Sequence, residues 1–389
     1  MFDGDGTLEQ RADRFRHRVE NSENIVNENI QIIDSICFES YGISDQSQEL
    51  MRSSIGGQDE SLDVPTDDDL AFGMVSFLIG RIFGRWPQQL QEIPAFATAE
   101  TAFGETDGYV NISVNPTEEH SIVQLDGPTG LEEKVRGELN ALDLVDAEQS
   151  LLAMLGQRTL FNYLNKPAEF FGSHLQACSK SRREAPIYWP ISTESGSYTL
   201  WFYYHRLTDQ TLYKAVNDFV DPKLKQTLRQ LADLRAIKDR TSSQEKELAQ
   251  LTELESDLTQ FKADLLEIAA FWKPNLNDGV QITAAPLWKF FRLTKWRNKL
   301  KKTWSELQSG KYDWAHLALS IWPDRVVREK CTTDRSIAIA HDLEDELWEE
   351  VEEVSVTKSG RETKKMVWKP RKLSPSELDA IVEQVKSSG

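Results

Sequence analysis

The sequence predicts a helix-dominant α+β fold, with small mixed modules around a long antiparallel coiled-coil helical hairpin and no doubly wound sheet. Three observations predict it. Leu224, Leu228, Leu231 and Leu234 form one apolar seam, and Leu251, Leu254, Leu258, Phe261, Leu265, Ile268 and Trp272 follow alternating steps of three and four. "DRTSSQ" (239–244) interrupts the seam with turn formers, and two helices joined by so short a turn must run antiparallel. Strand-like stretches elsewhere are short and sit beside turn residues.

Six segments follow in order. Residues 1–90 read as an acidic helical segment. Within it, 7–41 reads as one or two amphipathic helices, with Phe15, Val19, Ile25, Ile30, Ile33 and Ile36 as a rough apolar stripe. A polar turn holds Asp67, Asp68 and Asp69, and "DLAFGMVSFLIGRIFGRW" (69–86) is a buried helix ended by Pro87. Gly73, Gly80 and Gly84 are read as allowing close packing there. Residues 91–165 read as a small β-hairpin, "GYVNISV" and "HSIVQL" flanking Pro116, followed by helices from 130 to 164.

Residues 166–221 form an aromatic-rich α/β module. Ile187-Tyr188-Trp189 and Ser197–His205 are two strands joined by a Ser/Gly turn. Their aromatic side chains make either a packed hairpin or a stacking surface beside Lys180, Arg182 and Arg183. The helical hairpin occupies 222–273, begun by Asp221-Pro222 and stopped by Pro274. Residues 274–345 form a basic, aromatic helical module. In it "LWKFFRLTKWRNKLKKTW" (287–304) carries seven cations and no acid. His316 and His341 are read as structural rather than as ligands. Residues 346–389 supply a charged hairpin, with acidic 344–353 facing basic 358–372 around Ser359-Gly360, and a capped terminal helix from Ser374.

Composition sets the function classes. Of 389 residues, 39% are hydrophobic and 28% charged, a soluble globular composition. No apolar run reaches the roughly 18 residues of a membrane span, and no signal peptide opens the chain. Cys37, Cys178 and Cys331 are too few and too scattered for a disulfide framework or a zinc site, so a reducing cytoplasm and no metal are expected. The net charge of −18 is uneven: residues 1–150 hold 9 Lys+Arg against 30 Asp+Glu, and 151–389 hold 36 against 33. Nucleic-acid contact is therefore expected only in the second part, at local patches.

"MFDGDGTLEQ" (1–10) contains two short motifs. Asp3, Asp5, Gly6, Thr7 and Leu8 spell the nucleophile loop of a haloacid-dehalogenase-type phosphatase. Phe2, Gly4 and Gly6 spell the cofactor turn of S-adenosylmethionine-dependent methyltransferases. Either motif needs a strand before it, and only Met1 and Phe2 precede Asp3. Both are read as coincidence. No catalytic or cofactor-binding residue is expected in this chain.

Longer segments carry a resemblance. "KPAEFFGSHLQACSKSRREAPIYWPIST…SYTLWFYYHRLTDQTLYKAVNDFVDPKL" resembles the C-terminal part of large adenine-specific DNA methyltransferases, the BREX phage-defence (PglX-like) enzymes and their type IIG restriction–modification relatives. "WKPNLNDGVQITAAPLW" and "YDWAHLALSIWPDRVVREKCTTDRSIAIAHDLEDELW" extend it, and "LIGRIFGRW" (78–86) resembles the segment after the family's catalytic domain.

The resemblance implies, for the full-length protein, methyl transfer from S-adenosylmethionine to adenine N6 in DNA. It also implies that this chain holds no complete Rossmann-type methyltransferase domain and is inactive alone, since no cofactor Gly turn on a strand and no Asn-Pro-Pro-Tyr loop can be carried over. The chain would then supply DNA recognition, positioning and docking. Phosphate contacts are expected from Lys289, Arg292, Lys295, Arg297, Lys299, Lys301 and Lys302, with Trp296 among the interleaved aromatics, and then from Lys180, Arg182 and Arg183. Expected partners are double-stranded DNA and either a separate catalytic chain or other defence-system subunits, with no membrane. The alternative is a protein-interaction subunit or an inert fragment of such an enzyme.

Overall fold

Leu8–Ser40 forms a single helix, α1, where the apolar spacing allows one or two. Phe15 and Val19 of its predicted stripe are half-buried. Leu8 and Ala12 are buried, whereas Ile25, Ile33 and Ile36 are 58%, 59% and 58% exposed. The computed structural model describes residues 7–40, 43–44, 48, 64–85, 121–141, 146–181, 183–356 and 362–388. The opening "MFDGDG", the strand expected at 108–114, Pro87, Pro116, Arg182 and Ser359-Gly360 lie outside the described residues.

The structure is 66% helical with small antiparallel sheets, the helix-dominant α+β class predicted. It divides into two units, one drawn from 1–114 and 132–162, the other from 115–131 and 163–389.

In the first unit, α2 (Asp67–Ile82) corrects two expectations. Asp67, Asp68 and Asp69 are its first turn, not a loop. Thr66 is the N-cap, and Asp69 returns a carboxylate to the Thr66 backbone N–H at 3.0 Å. This capping box satisfies donors that a helix start leaves open, and the acids complement the positive end of the dipole. The helix ends before Pro87 because Gly84 takes φ +68°, a left-handed conformation that terminates helices. A side chain at Gly73 would meet open space, so close packing does not explain that glycine. Leu70, Ala71, Met74, Val75, Leu78 and Ile79 are buried. Each large one contributes roughly 1.5–3 kcal/mol on burial. Two further described helices, α3 (Leu131–Ala141) and α4 (Ala147–Met154), belong to the unit, and both α1 and α2 pack on α4. Arg81 on α2 donates to Glu138 on α3 at 2.7 Å, and Arg136 donates to Glu148 on α4 at 2.8 Å.

The second unit is built on a three-stranded antiparallel sheet, ordered β1 (Ile122–Gln124), β5 (Thr199–Tyr203), β4 (Tyr188–Ser192). Trp189 faces Phe202 across the ladder, and Val123 faces Trp201. Every residue of β5 is buried, Thr199 included, which is why Leu200–Tyr203 run apolar rather than alternating. Tyr188, Trp189, Tyr198, Trp201, Phe202, Tyr203 and Tyr204 are all under 9% exposed. The hairpin is packed, and the stacking-surface alternative fails because no ring face is available to a base. Before β4 come α5 (Leu160–Asn165), α6 (Phe170–Ala177) and the two-residue strands β2 (Ser179–Lys180) and β3 (Arg183–Glu184).

After the sheet, a helix starts at Thr211, ten residues before the predicted Asp221-Pro222 start. α7 (Thr211–Lys214) passes through a π-helical turn, Ala215–Val220, into α8 (Asp221–Ala236). The π-turn lies immediately before Pro222, whose ring and missing N–H disturb a regular helix. α9 (Ser242–Ala269) follows and packs against α8. The link between them is capped on both sides: Arg240 donates to Leu234 O and Ile237 O at 3.3 and 3.0 Å, and Thr241 with Gln244 forms a capping box. Leu231, Leu234, Leu258, Phe261, Leu265, Ile268 and Trp272 of the predicted seam are buried, while Leu228 is 44% exposed.

Later elements include α10 (Val280–Ala284), α11 (Thr294–Gln308), α12 (His316–Ile321), a short helix Pro323–Arg325 running into a π-helical turn Val326–Cys331, α13 (Arg335–Ala340) and α14 (Glu344–Leu347), then β6 (Trp348–Val356), β7 (Glu362–Pro370) and α15 (Pro375–Ser388). α12 stops before the Trp322-Pro323 break. β6 and β7 pair antiparallel, with Glu352–Lys364 and Glu353–Lys369 ion pairs across them. Ser374 and Glu377 cap α15 through bonds of 2.6–3.4 Å.

Candidate nucleic-acid interface

α11 is strictly two-faced. Trp296, Leu300, Thr303 and Leu307, at steps of three and four, are buried. Lys295, Asn298, Lys301, Lys302 and Ser305 form the exposed face, with the half-buried Glu306 at its edge one turn beyond Lys302.

The cations predicted to act together divide into three kinds. Lys289 and Arg292 are structural. Lys289 lies just ahead of α11 and pairs with Asp264 on α9 at 2.7 Å. The Arg292 guanidinium, lowered in pKa by burial, donates to the Asn165 carbonyl and side-chain oxygens at 3.2 and 3.3 Å. It lies against Gly196 in the β4–β5 turn, where φ is +76° and a Cβ would overlap the guanidinium. Arg297 and Arg292 share the wall of a cavity of about 250 Å³ with Asp257 and Asp264.

Lys295 and Lys299 are bridging residues. Both hold Glu184 of β3, at 2.8 and 2.9 Å. Burial alone would raise the Glu184 pKa, but hydrogen bonds from Lys295 and Lys299 outweigh it and hold the carboxyl below its ordinary value. One carboxylate thus ties β2–β3 to α11, across 115 residues of sequence. Lys180 and Arg183 on that small hairpin are exposed.

Lys301 and Lys302 are the third kind. Both are exposed; neither forms a close ion pair among the described residues, although the charge of Lys302 acts on Glu306 one turn further along. The Lys301 ammonium sits 4.9 Å from the Trp288 ring centroid, a cation–π contact that steadies it at the surface. Trp296 is fully buried, so it anchors α11 and cannot stack on a base.

The two basic runs predicted separately are therefore brought together, apart from Arg182, which lies outside the described residues. Sequence reasoning missed Glu184. Its signal is a single acid after a basic run, and nothing local says which cations it will meet. No protein-family model matches this chain, and no curated protein matches it either.

Proposed function

We propose that this chain is the DNA-positioning and docking portion of an adenine-specific (N6) DNA methyltransferase of the phage-defence or restriction–modification kind, with S-adenosylmethionine used by the full-length enzyme. The observation that carries the reading is the lysine-rich outer face of α11, with Glu306 its one bordering carboxylate on that helix, joined through Glu184 to Lys180 and Arg183. Methylating a base inside a duplex requires the duplex to be held in register while the adenine is flipped out. Phosphate contacts set that register, and lysines on a rigid helix suit the task. Lys301 and Lys302 are the leading contacts, then Lys295, then Lys180 and Arg183. Lys289 and Arg292 hold the fold beneath them.

The test is a low-salt mobility-shift assay with duplex DNA. The wild-type chain is expected to bind. Lys301→Glu with Lys302→Glu is expected to bind more weakly at unchanged helicity, because both side chains are exposed. Equal binding by the variant would overturn the assignment.

A second reading, a protein-interaction subunit, is favoured by the exposed isoleucines of α1. Co-purification with a separate methyltransferase chain, lost on Ile33→Asp and Ile36→Asp, would support it. Co-purification that survives both changes would remove it.

A further inference from the structure

Arg297, the one arginine of α11, belongs neither to the ion pairs of Glu184 nor to the exposed lysines. It is half-buried and lines the cavity of about 250 Å³. One wall of that cavity is a single face of α9, where Asp257, Gln260, Phe261 and Asp264 recur at helical spacing. The rest comes from the end of β4 and from 288–297, which ends in the first turn of α11.

This cavity holds charges that do not cancel. Lys289 and Asp264 do, as an ion pair of 2.7 Å. Arg292, Arg297 and Asp257 line the same space, and no ion pair joins Asp257 to either guanidinium. Two of the three are pinned. Arg292 is held by the Asn165 oxygens at 3.2 and 3.3 Å and packs against Gly196. Burial lowers its pKa, with no carboxylate offsetting the effect. Asp257 accepts from the Ser195 and Ser197 hydroxyls, both at Oδ2, which leaves Oδ1 for a further donor. Each side therefore keeps its place, and charges already fixed cost a ligand little ordering.

The ligand's chemistry follows from the balance. Exposed Glu194 adds a second carboxylate to the lining. A simple anion meets the guanidiniums but also faces Asp257 and Glu194, and a simple cation meets the reverse. A molecule carrying both charges suits both sides. Phe261 and Phe290 meet edge to face, with centroids 5.3 Å apart, and half-buried Trp288 joins them in the lining. The space is about eight times the roughly 30 Å³ of one water, enough for an apolar group beside two small charged ones.

We propose that this cavity binds a free α-amino acid with an apolar side chain. Its carboxylate accepts from Arg297 and Arg292, its ammonium donates to Asp257 Oδ1, and its side chain lies on Phe261, Phe290 and Trp288. The ligand is recognised whether or not the lysine face holds DNA.

The test is calorimetric titration of the full chain with L-leucine, with L-phenylalanine, with the N-acetyl and amide derivatives of the tighter of the two, and with inorganic phosphate. At least one amino acid is expected to bind saturably. The acetylated form lacks the ammonium and the amide lacks the carboxylate, so each should bind about tenfold more weakly or worse. Arg297→Gln is expected to weaken the amino acid by a similar factor at unchanged helicity, because the Arg297 side chain bonds to no other described residue. Failure of both amino acids to bind the wild-type chain overturns the proposal. So does equal binding of either derivative, saturable binding of phosphate alone, or unchanged affinity in Arg297→Gln.

Discussion

Gly196 shows how one backbone angle supports a charged surface. Its φ of +76° lies in the left-handed region, and the Arg292 guanidinium fills the space a side chain would need. Gly196→Ala is expected to cost about 1–3 kcal/mol in strain, and more once Arg292 is displaced, read as a fall in the thermal midpoint. His341 makes a prediction of a different kind. Burial holds its folded pKa below the ordinary 6.5. Unfolding therefore takes up a proton between the two values, so this contribution to stability is complete above about pH 6.5 and is lost as pH falls through the folded pKa. Denaturant unfolding at pH 7.5 and pH 5 should show a smaller acid loss in His341→Gln than in wild type. An identical loss would place the acid sensitivity elsewhere. In sequence Gly196 reads only as one turn glycine, and His316 and His341 read as structural residues with nothing local to show what orients them. The Asp278 carboxylate, in the 3-10 turn Leu276–Asp278, and the Asp313 backbone carbonyl, which orient the two rings, lie far from them in sequence.

Helices were the legible part at the scale of elements. α1, α9 and the capped start of α15 follow from periodicity and cap residues, and the antiparallel β4–β5 pair follows from the Ser/Gly turn between aromatic runs. The misses have physical causes. Asp67 to Asp69 look like loop residues by polarity, but a helix N-terminus attracts acids, and Thr66 with Asp69 is a capping box. Pro222 looks like a helix start, and a π-turn lets the helix run through from Thr211. The basic run at 287–304 was legible as a patch, but its division into structural, bridging and exposed cations was not, because each partner is distant in sequence: Asn165, Glu184 and Asp264. The α8–α9 link offers a test. Thr241→Ala removes the side chain that caps α9 and should cost about 1 kcal/mol, seen as a lower denaturant midpoint with an unchanged slope. No change would mean that the Arg240 contacts alone fix the turn.

For the whole molecule, the net charge of −18 opposes DNA, so any binding has to come from a local surface. Among the described residues, no helix is long and apolar enough to cross a membrane. The account rests on Glu184 making one basic surface out of two runs far apart in the chain. The most direct measurement is the slope of log affinity for duplex DNA against log salt concentration, for the wild-type chain and two variants. One variant is Lys301→Glu with Lys302→Glu; the other is Lys180→Glu with Arg183→Glu. Each lost phosphate contact should lower the slope by about 0.9, so each variant should lose up to about 2 and the combination of all four more than either. A wild-type slope near zero, or a slope that neither variant changes, would contradict the claim that this surface holds DNA.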